Sequence, residues 1–87
     1  MQGQEPAVSV LYFAALRELA GRHEELIRLE QARPTVSGLL SELELRHAAL
    51  RGRLQSVRVA VNEEFVELAT ELSSGDVVAL IPPVSGG

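Results

Sequence analysis

Two segments at opposite ends of the chain are apolar on both faces, and this constrains the fold more than any other feature. Residues 8–13 read Val-Ser-Val-Leu-Tyr-Phe and residues 77–81 read Val-Val-Ala-Leu-Ile. β-branched and aromatic side chains in so short a run predict strands, and apolar character on both faces predicts central strands rather than edges. Between them lies one long amphipathic stretch. Val36, Leu39, Leu40 and Leu43 fall at i, i+3, i+4 and i+7, which is one stripe of a helix. With 87 residues and no cysteine, the chain must close a single small core without staples.

The remaining pieces are shorter. Residues 14–20 are good helix formers, and Gly21 is a natural stop. Residues 23–29 alternate weakly, with Ile27 and Leu29 on one face and Leu26 and Arg28 on the other, which predicts a second strand. Thr35 is placed to cap the long helix, although Gly38 supplies no capping-box carboxylate. His47 continues the apolar helix face as a boundary residue making one hydrogen bond, Leu50 follows it, the helix is expected to fray between His47 and Leu50, and Leu45 lies on the far side. Residues 57–61 alternate, with Val57, Val59 and Val61 inward and Arg58 and Ala60 outward. Asn62-Glu63-Glu64 turns the chain into a short returning strand at Phe65-Val66. Leu68 and Leu72 read as isolated loop anchors. Ser74-Gly75-Asp76 is a turn, and Pro82-Pro83 ends the last strand, because proline cannot donate to a ladder.

The order is strand, strand, helix, strand, short strand, strand. One main helix on a mixed sheet is a two-layer α+β design. The architecture that best fits is the β-grasp, or ubiquitin-like, roll, with the first and last strands side by side in the sheet centre. Residues 1–87 are read as one domain, with 1–6 a loose leader and 82–87 an extended tail.

Several function classes are disfavoured. A net charge of −4 and a pI near 5.1 argue against a nucleic-acid partner. No apolar run approaches the roughly 20 residues of a membrane-spanning helix, residues 1–6 lack a signal-peptide pattern, and a small domain without disulfides suits a cytoplasmic setting. His23 reads as a solvated turn residue, and no third ligand accompanies it and His47. Glu24-Glu25 and Glu63-Glu64 are adjacent only in sequence, since strand neighbours point to opposite faces. All eight basic residues are arginine, so no lysine here can form an isopeptide bond or Schiff base. No self-contained catalytic set emerges, and no cofactor site on this chain is expected.

What remains is the ending Pro82-Pro83-Val84-Ser85-Gly86-Gly87. Six residues extended reach about 20 Å at ~3.3–3.6 Å each. Glycine presents no Cβ to a narrow tunnel and tolerates unusual φ. A terminal carboxylate with a pKa of about 3.3–3.7 is ionised and a poor electrophile, so it must be activated, for instance as an acyl-adenylate made from ATP by a partner. Pro82 and Pro83 would stiffen the exit of the arm, Val84 would give apolar purchase, and Gly86-Gly87 the slim end. Small residues also collect at inert chain ends, so the tail alone leaves both readings open.

The chain resembles the small subunits of molybdopterin synthase, the sulfur carriers of molybdenum cofactor biosynthesis. The matching stretches are Val-Leu-Tyr-Phe-Ala-Ala-Leu-Arg-Glu-Leu-Ala-Gly at 10–21, Pro34-Thr35-Val36, Ala60-Val61-Asn62, and Gly-Asp-Val-Val-Ala-Leu-Ile-Pro-Pro-Val-Ser-Gly-Gly at 75–87. The resemblance implies that a ubiquitin-activating-type adenylyltransferase uses ATP to adenylate Gly87. A sulfur donor protein then converts it to a thiocarboxylate, with Gly86 as steric partner. The tail then enters the large synthase subunit, where the sulfur attacks cyclic pyranopterin monophosphate; a heterotetramer is the expected assembly. It also implies a partner-binding patch of Phe13, Phe65 and Ile81 with Arg17 as a polar contact, continued by Pro82, Pro83, Val84 and Ser85. Hydrophobicity alone would equally allow Phe13 and Ile81 to fill the core. A carrier for thiamin or cysteine synthesis, a ubiquitin-like protein modifier, and a plain interaction domain with an inert tail are the competing functions.

Overall fold

The computed structural model describes residues 7–83. Strand β1 spans Ala7–Tyr12, helix α1 Ala15–Ala20, strand β2 Glu24–Arg28 and helix α2 Val36–Arg46. A 3₁₀ turn at Ala48–Leu50 follows, then strands β3 Arg58–Val61, β4 Glu64–Val66 and β5 Val77–Ile81. The five strands form one sheet in the order β2-β1-β5-β3-β4. β1 and β5 run parallel, with Tyr12 beside Leu80, and the other pairs are antiparallel. The two strands with two-sided apolar character are therefore neighbours away from both edges, as their composition requires. This is the β-grasp roll.

Local chemistry explains each change of direction. The amide of Leu16 donates to the carbonyl of Phe13 at 3.1 Å across Ala14, whose φ of 53° and ψ of −131° are those of the first corner of a type II′ turn. This turn carries the chain out of β1 into α1. Gly21 ends α1 in the left-handed region at φ 77°, with its N–H on the carbonyl of Arg17. Thr35 Oγ1 accepts from the Gly38 amide at 3.1 Å and caps α2. The other orphan donors of that terminus are met from the loop after β4. Val36 donates to the Thr70 carbonyl and Ser37 to the Leu68 carbonyl, both at 2.9 Å.

The core lies between the sheet and α2. Val8, Val10 and Tyr12 of β1, Val78 and Leu80 of β5, and Ile27 of β2 meet Val36, Leu39 and Leu43 of α2. α2 ends at Arg46 rather than fraying on: His47 is extended at φ −127° and ψ 100°, and a separate 3₁₀ turn delivers Leu50, fully buried, to the core. Two expectations need correction. Ala60 faces away from α2 yet is only 6% exposed, because it sits between Ala79 on β5 and Phe65 on β4. Leu68 does not anchor its loop with its side chain, which is 54% exposed; its carbonyl does so by capping α2. Leu72 is buried and Leu45 is exposed, as expected. Among the described residues, no helix is long and apolar enough to cross a membrane.

Candidate functional site

The sheet has one face against α2 and one that no helix covers. Period-2 alternation places Leu11, Ala79, Ile81, Arg58, Ala60 and Phe65 on the uncovered face. Register then gathers the predicted patch. Tyr12 pairs with Leu80, so Phe13 and Ile81 follow side by side at the end of two parallel strands. Ile81 pairs with Arg58, and the Arg58 guanidinium carbon stands 4.0 Å from the centroid of the Phe65 ring. Ile81, Arg58 and Phe65 thus form a band across three strands at the end where β5 leaves the sheet, with Phe13 directly after the end of β1. Phe13 is 39% exposed and Phe65 56%. Ile81 is half-buried and Arg17, on α1, is exposed. Core filling is therefore not the role of either phenylalanine.

Pro82 is half-buried and Pro83 exposed, directly beyond Ile81. The tail thus departs from the band itself rather than from a remote corner. Val84, Ser85, Gly86 and Gly87 lie outside the described residues. Arg58 was read in the sequence only as an outward residue of an alternating strand. Its place over Phe65 depends on pairing between β3 and β4 that no local pattern announces, although an outward arginine near an outward aromatic was the available signal.

The start of β5 is held by side-chain hydrogen bonds. Asn62 and Glu63 both have positive φ, 52° and 74°, and form a two-residue type I′ connection between β3 and β4. Asn62 Oδ1 accepts from the Val77 amide at 3.0 Å, and Asn62 Nδ2 donates to Asp76 Oδ1 at 3.0 Å. Asp76 Oδ2 accepts from the Ser73 amide at 2.8 Å. The residue read as a simple turn aspartate clasps two loops together.

A second polar cluster sits between the sheet and α2. Glu25 Oε1 accepts from the Tyr12 hydroxyl at 2.8 Å and lies 2.8 Å from His47 Nε2, while Arg22 approaches Glu25 Oε2 at 3.4 Å. Burial, followed by the hydrogen bond to Glu25, pushes the Tyr12 phenol well above its ordinary value. Burial pushes the Glu25 carboxyl upward, but the hydrogen bonds from His47 and Tyr12 outweigh it and hold the group below its ordinary value. His47 makes the single side-chain hydrogen bond expected of a boundary residue. Every buried side-chain polar atom among the described residues has a partner, and no group there of three or more His, Cys, Asp or Glu side chains could hold a metal ion. The cluster cements the helix end to the sheet.

The five-stranded sheet packed on α2 makes this a small β-grasp domain whose last strand ends beside the exposed band. The ThiS family matches residues 10–87, and the chain belongs to that family. The human molybdopterin synthase sulfur carrier subunit is 40% identical, over 92% of this chain and 93% of that protein. The crystal structure of SAMP1 from Haloferax volcanii superposes with a TM-score of 0.83 at 31% identity, covering 93% of this chain and 99% of that one. A chain in the complex of subunits 1 and 2 of molybdopterin-converting factor from Helicobacter pylori gives a TM-score of 0.67 at 26% identity, over 93% and 99% of the two chains.

Proposed function

We propose that this chain is the sulfur carrier and small subunit of a molybdopterin synthase. The observation that carries the reading is positional. Pro82-Pro83 leaves β5 beside Phe13, Ile81, Arg58 and Phe65, so a partner that grips the exposed band receives the tail in its own cleft. In this reading the band docks the larger synthase subunit, with Arg17 at its border, and Val84 and Ser85 thread the end into the active site.

The chemistry follows from the ending. An adenylyltransferase partner attacks ATP with the Gly87 carboxylate, forming the acyl-adenylate and releasing pyrophosphate. Sulfide-level sulfur delivered by a donor protein attacks the acyl carbon, AMP leaves, and a thiocarboxylate remains. Its ionised sulfur is a better nucleophile than the carboxylate it replaces, and it displaces an oxygen substituent at a carbon of cyclic pyranopterin monophosphate. Water then cleaves the resulting thioester, which leaves one sulfur of the dithiolene on the pterin and returns Gly87 as a carboxylate. Pterin binding and acid–base groups belong to the larger subunit, and ATP to the activating enzyme. Glycine at 86 and 87 keeps the reacting end free of side chains where the tunnel is narrowest.

The test is intact mass after coexpression with the activating enzyme and a sulfur source. Exchange of one oxygen for sulfur at Gly87, followed by molybdopterin formation on addition of the larger subunit and precursor, is the expected result. Deletion of Gly87 is expected to abolish transfer while leaving the thermal melt unchanged. Thiocarboxylation without molybdopterin formation would move the carrier to another route, such as thiamin or cysteine synthesis. The likeness to SAMP1, a small archaeal modifier protein by name, favours a second reading, conjugation of Gly87 to lysines of other proteins. Covalent adducts in the same mass experiment would support it.

A further inference from the structure

We propose that β2 is a self-complementary edge through which two copies of this chain pair, antiparallel, about a two-fold axis at Leu26. β2 is the last strand on its side of the sheet. The Tyr12 amide donates to the His23 carbonyl at 2.8 Å, which fixes the ladder phase. His23, Glu25 and Ile27 turn their backbone groups toward β1, and Glu24, Leu26 and Arg28 turn theirs outward. No loop backbone bond among the described residues reaches those outward groups. Glu24, Leu26 and Arg28 also share the uncovered face of the sheet, and Leu26 is 64% exposed.

Edge strands usually carry charge that keeps other chains away. Here the charges are arranged as their own complement. Antiparallel pairing centred on Leu26 sets Leu26 beside its copy and Glu24 beside Arg28 of the second copy, twice. Neither Glu24 nor Arg28 is in an ion pair among the described residues, and the neighbouring Glu42 is already engaged by Arg46 at 2.9 Å. Other registers are poorer. An axis at Glu24, Glu25 or Arg28 opposes like charges, and one at Ile27 leaves Glu24 without a partner. Cross-strand neighbours of opposite charge stabilise a pair and like charges destabilise it, so the register is specified.

The geometry leaves the tail free. β5 runs antiparallel to β2, so in the dimer the two β5 strands run in opposite directions and the two Pro82-Pro83 exits lie at opposite ends. At ~4.8 Å per strand the two β5 strands stand about 24 Å apart. The pairing buries only a five-residue edge, well below the roughly 1,200 Å² of a stable interface, so the dimer is weak and depends on concentration.

Sedimentation equilibrium from about 10 µM to about 1 mM tests the proposal, together with amide chemical shifts over the same range. The expected result is reversible dimerisation with shifts centred on Leu26. Glu24→Arg alone and Arg28→Glu alone should each weaken it at least tenfold, because each opposes like charges twice. Mixing the two variants should restore pairing, since every contact is then Arg against Glu, and the double exchange E24R/R28E should dimerise like the parent. Both positions are exposed, and thermal melts confirm that each variant is folded. A parent that stays monomeric, variants that associate as strongly as the parent, a mixture no better than its components, or concentration-dependent shifts centred on Phe65 would each overturn the assignment.

Discussion

His47 Nε2 and Glu25 Oε1 lie 2.8 Å apart, and this contact ties the end of α2 to the edge strand β2. Glu25 also accepts from the buried Tyr12 hydroxyl through the same oxygen. Removing the carboxylate strands a hydroxyl that water cannot reach, since Tyr12 is 1% exposed. Glu25→Ala is expected to cost about 1–3 kcal/mol in urea denaturation. Tyr12→Phe in that background should recover part of the loss, because it removes the orphaned donor. Equal losses in the single and double variants would show that the hydroxyl finds another partner.

The same contact sets an acid limit. The folded-state pKa of Glu25 lies below its ordinary 4.5. The ionised form is favoured by folding, so its contribution is present above about pH 4.5 and is lost as the pH falls through the lower folded value. The parent should lose more stability than Glu25→Gln as the pH falls below the ordinary 4.5 of the carboxyl, as measured by urea midpoints. Parallel pH profiles for the two proteins would remove Glu25 as the source.

Ala14 occupies the corner of the turn that links Phe13 to α1, at φ 53° and ψ −131°. That conformation is routine for glycine and strained for any residue with a Cβ, at about 1–3 kcal/mol. Glycine loses roughly 0.5–1 kcal/mol of the gain to the entropy of the unfolded chain. Ala14→Gly should therefore raise stability, by about 1 kcal/mol, with the midpoint moving and the denaturant slope unchanged. A lower midpoint would mean that the methyl group packs favourably enough to offset the strain.

Phe65 separates binding from folding. It is 56% exposed and contacts Arg58 from the uncovered face, so its contribution to the core is small. Phe65→Asp should lower stability by less than about 1 kcal/mol. The same change should weaken binding of the larger synthase subunit proposed above by at least tenfold, as expected for an aromatic anchor. Calorimetric titration with that subunit, alongside thermal melts, gives both numbers. A fold loss that matched the binding loss would return Phe65 to a structural role.

How far these features could be read in advance depended on whether they were local. The strands were legible because β1 and β5 are apolar on both faces and β3 alternates, and α2 because its stripe has one period. The tail carries its proposed chemistry in the sequence alone, because two glycines leave nothing but backbone to react, and Val84 to Gly87 lie outside the described residues. Arg58 over Phe65, Glu25 between Tyr12 and His47, and the free edge of β2 depend on strand order and ladder phase, which no short window carries. Leu68 misled for a related reason: its carbonyl serves the fold, and hydrophobicity describes only its side chain.

Asn62 and Asp76 provide the last test, because each joins side-chain bonding to a special backbone. Asp76 accepts from Asn62 Nδ2 and from the Ser73 amide, so Asp76→Ala removes two bonds and should cost about 1–3 kcal/mol. Asn62→Ala loses the bonds to Val77 and Asp76 and also places a Cβ residue at φ 52°, where alanine pays about 1–2 kcal/mol. Asn62→Gly loses the same bonds without that steric term. The expected order of stability by urea denaturation is parent, then Asn62→Gly, then Asn62→Ala, with the gap between the two variants measuring the backbone effect alone. If alanine and glycine at 62 prove equal, the left-handed turn has been abandoned in the variants, and the β3–β4 connection is held by the clasp rather than by its own conformational preference.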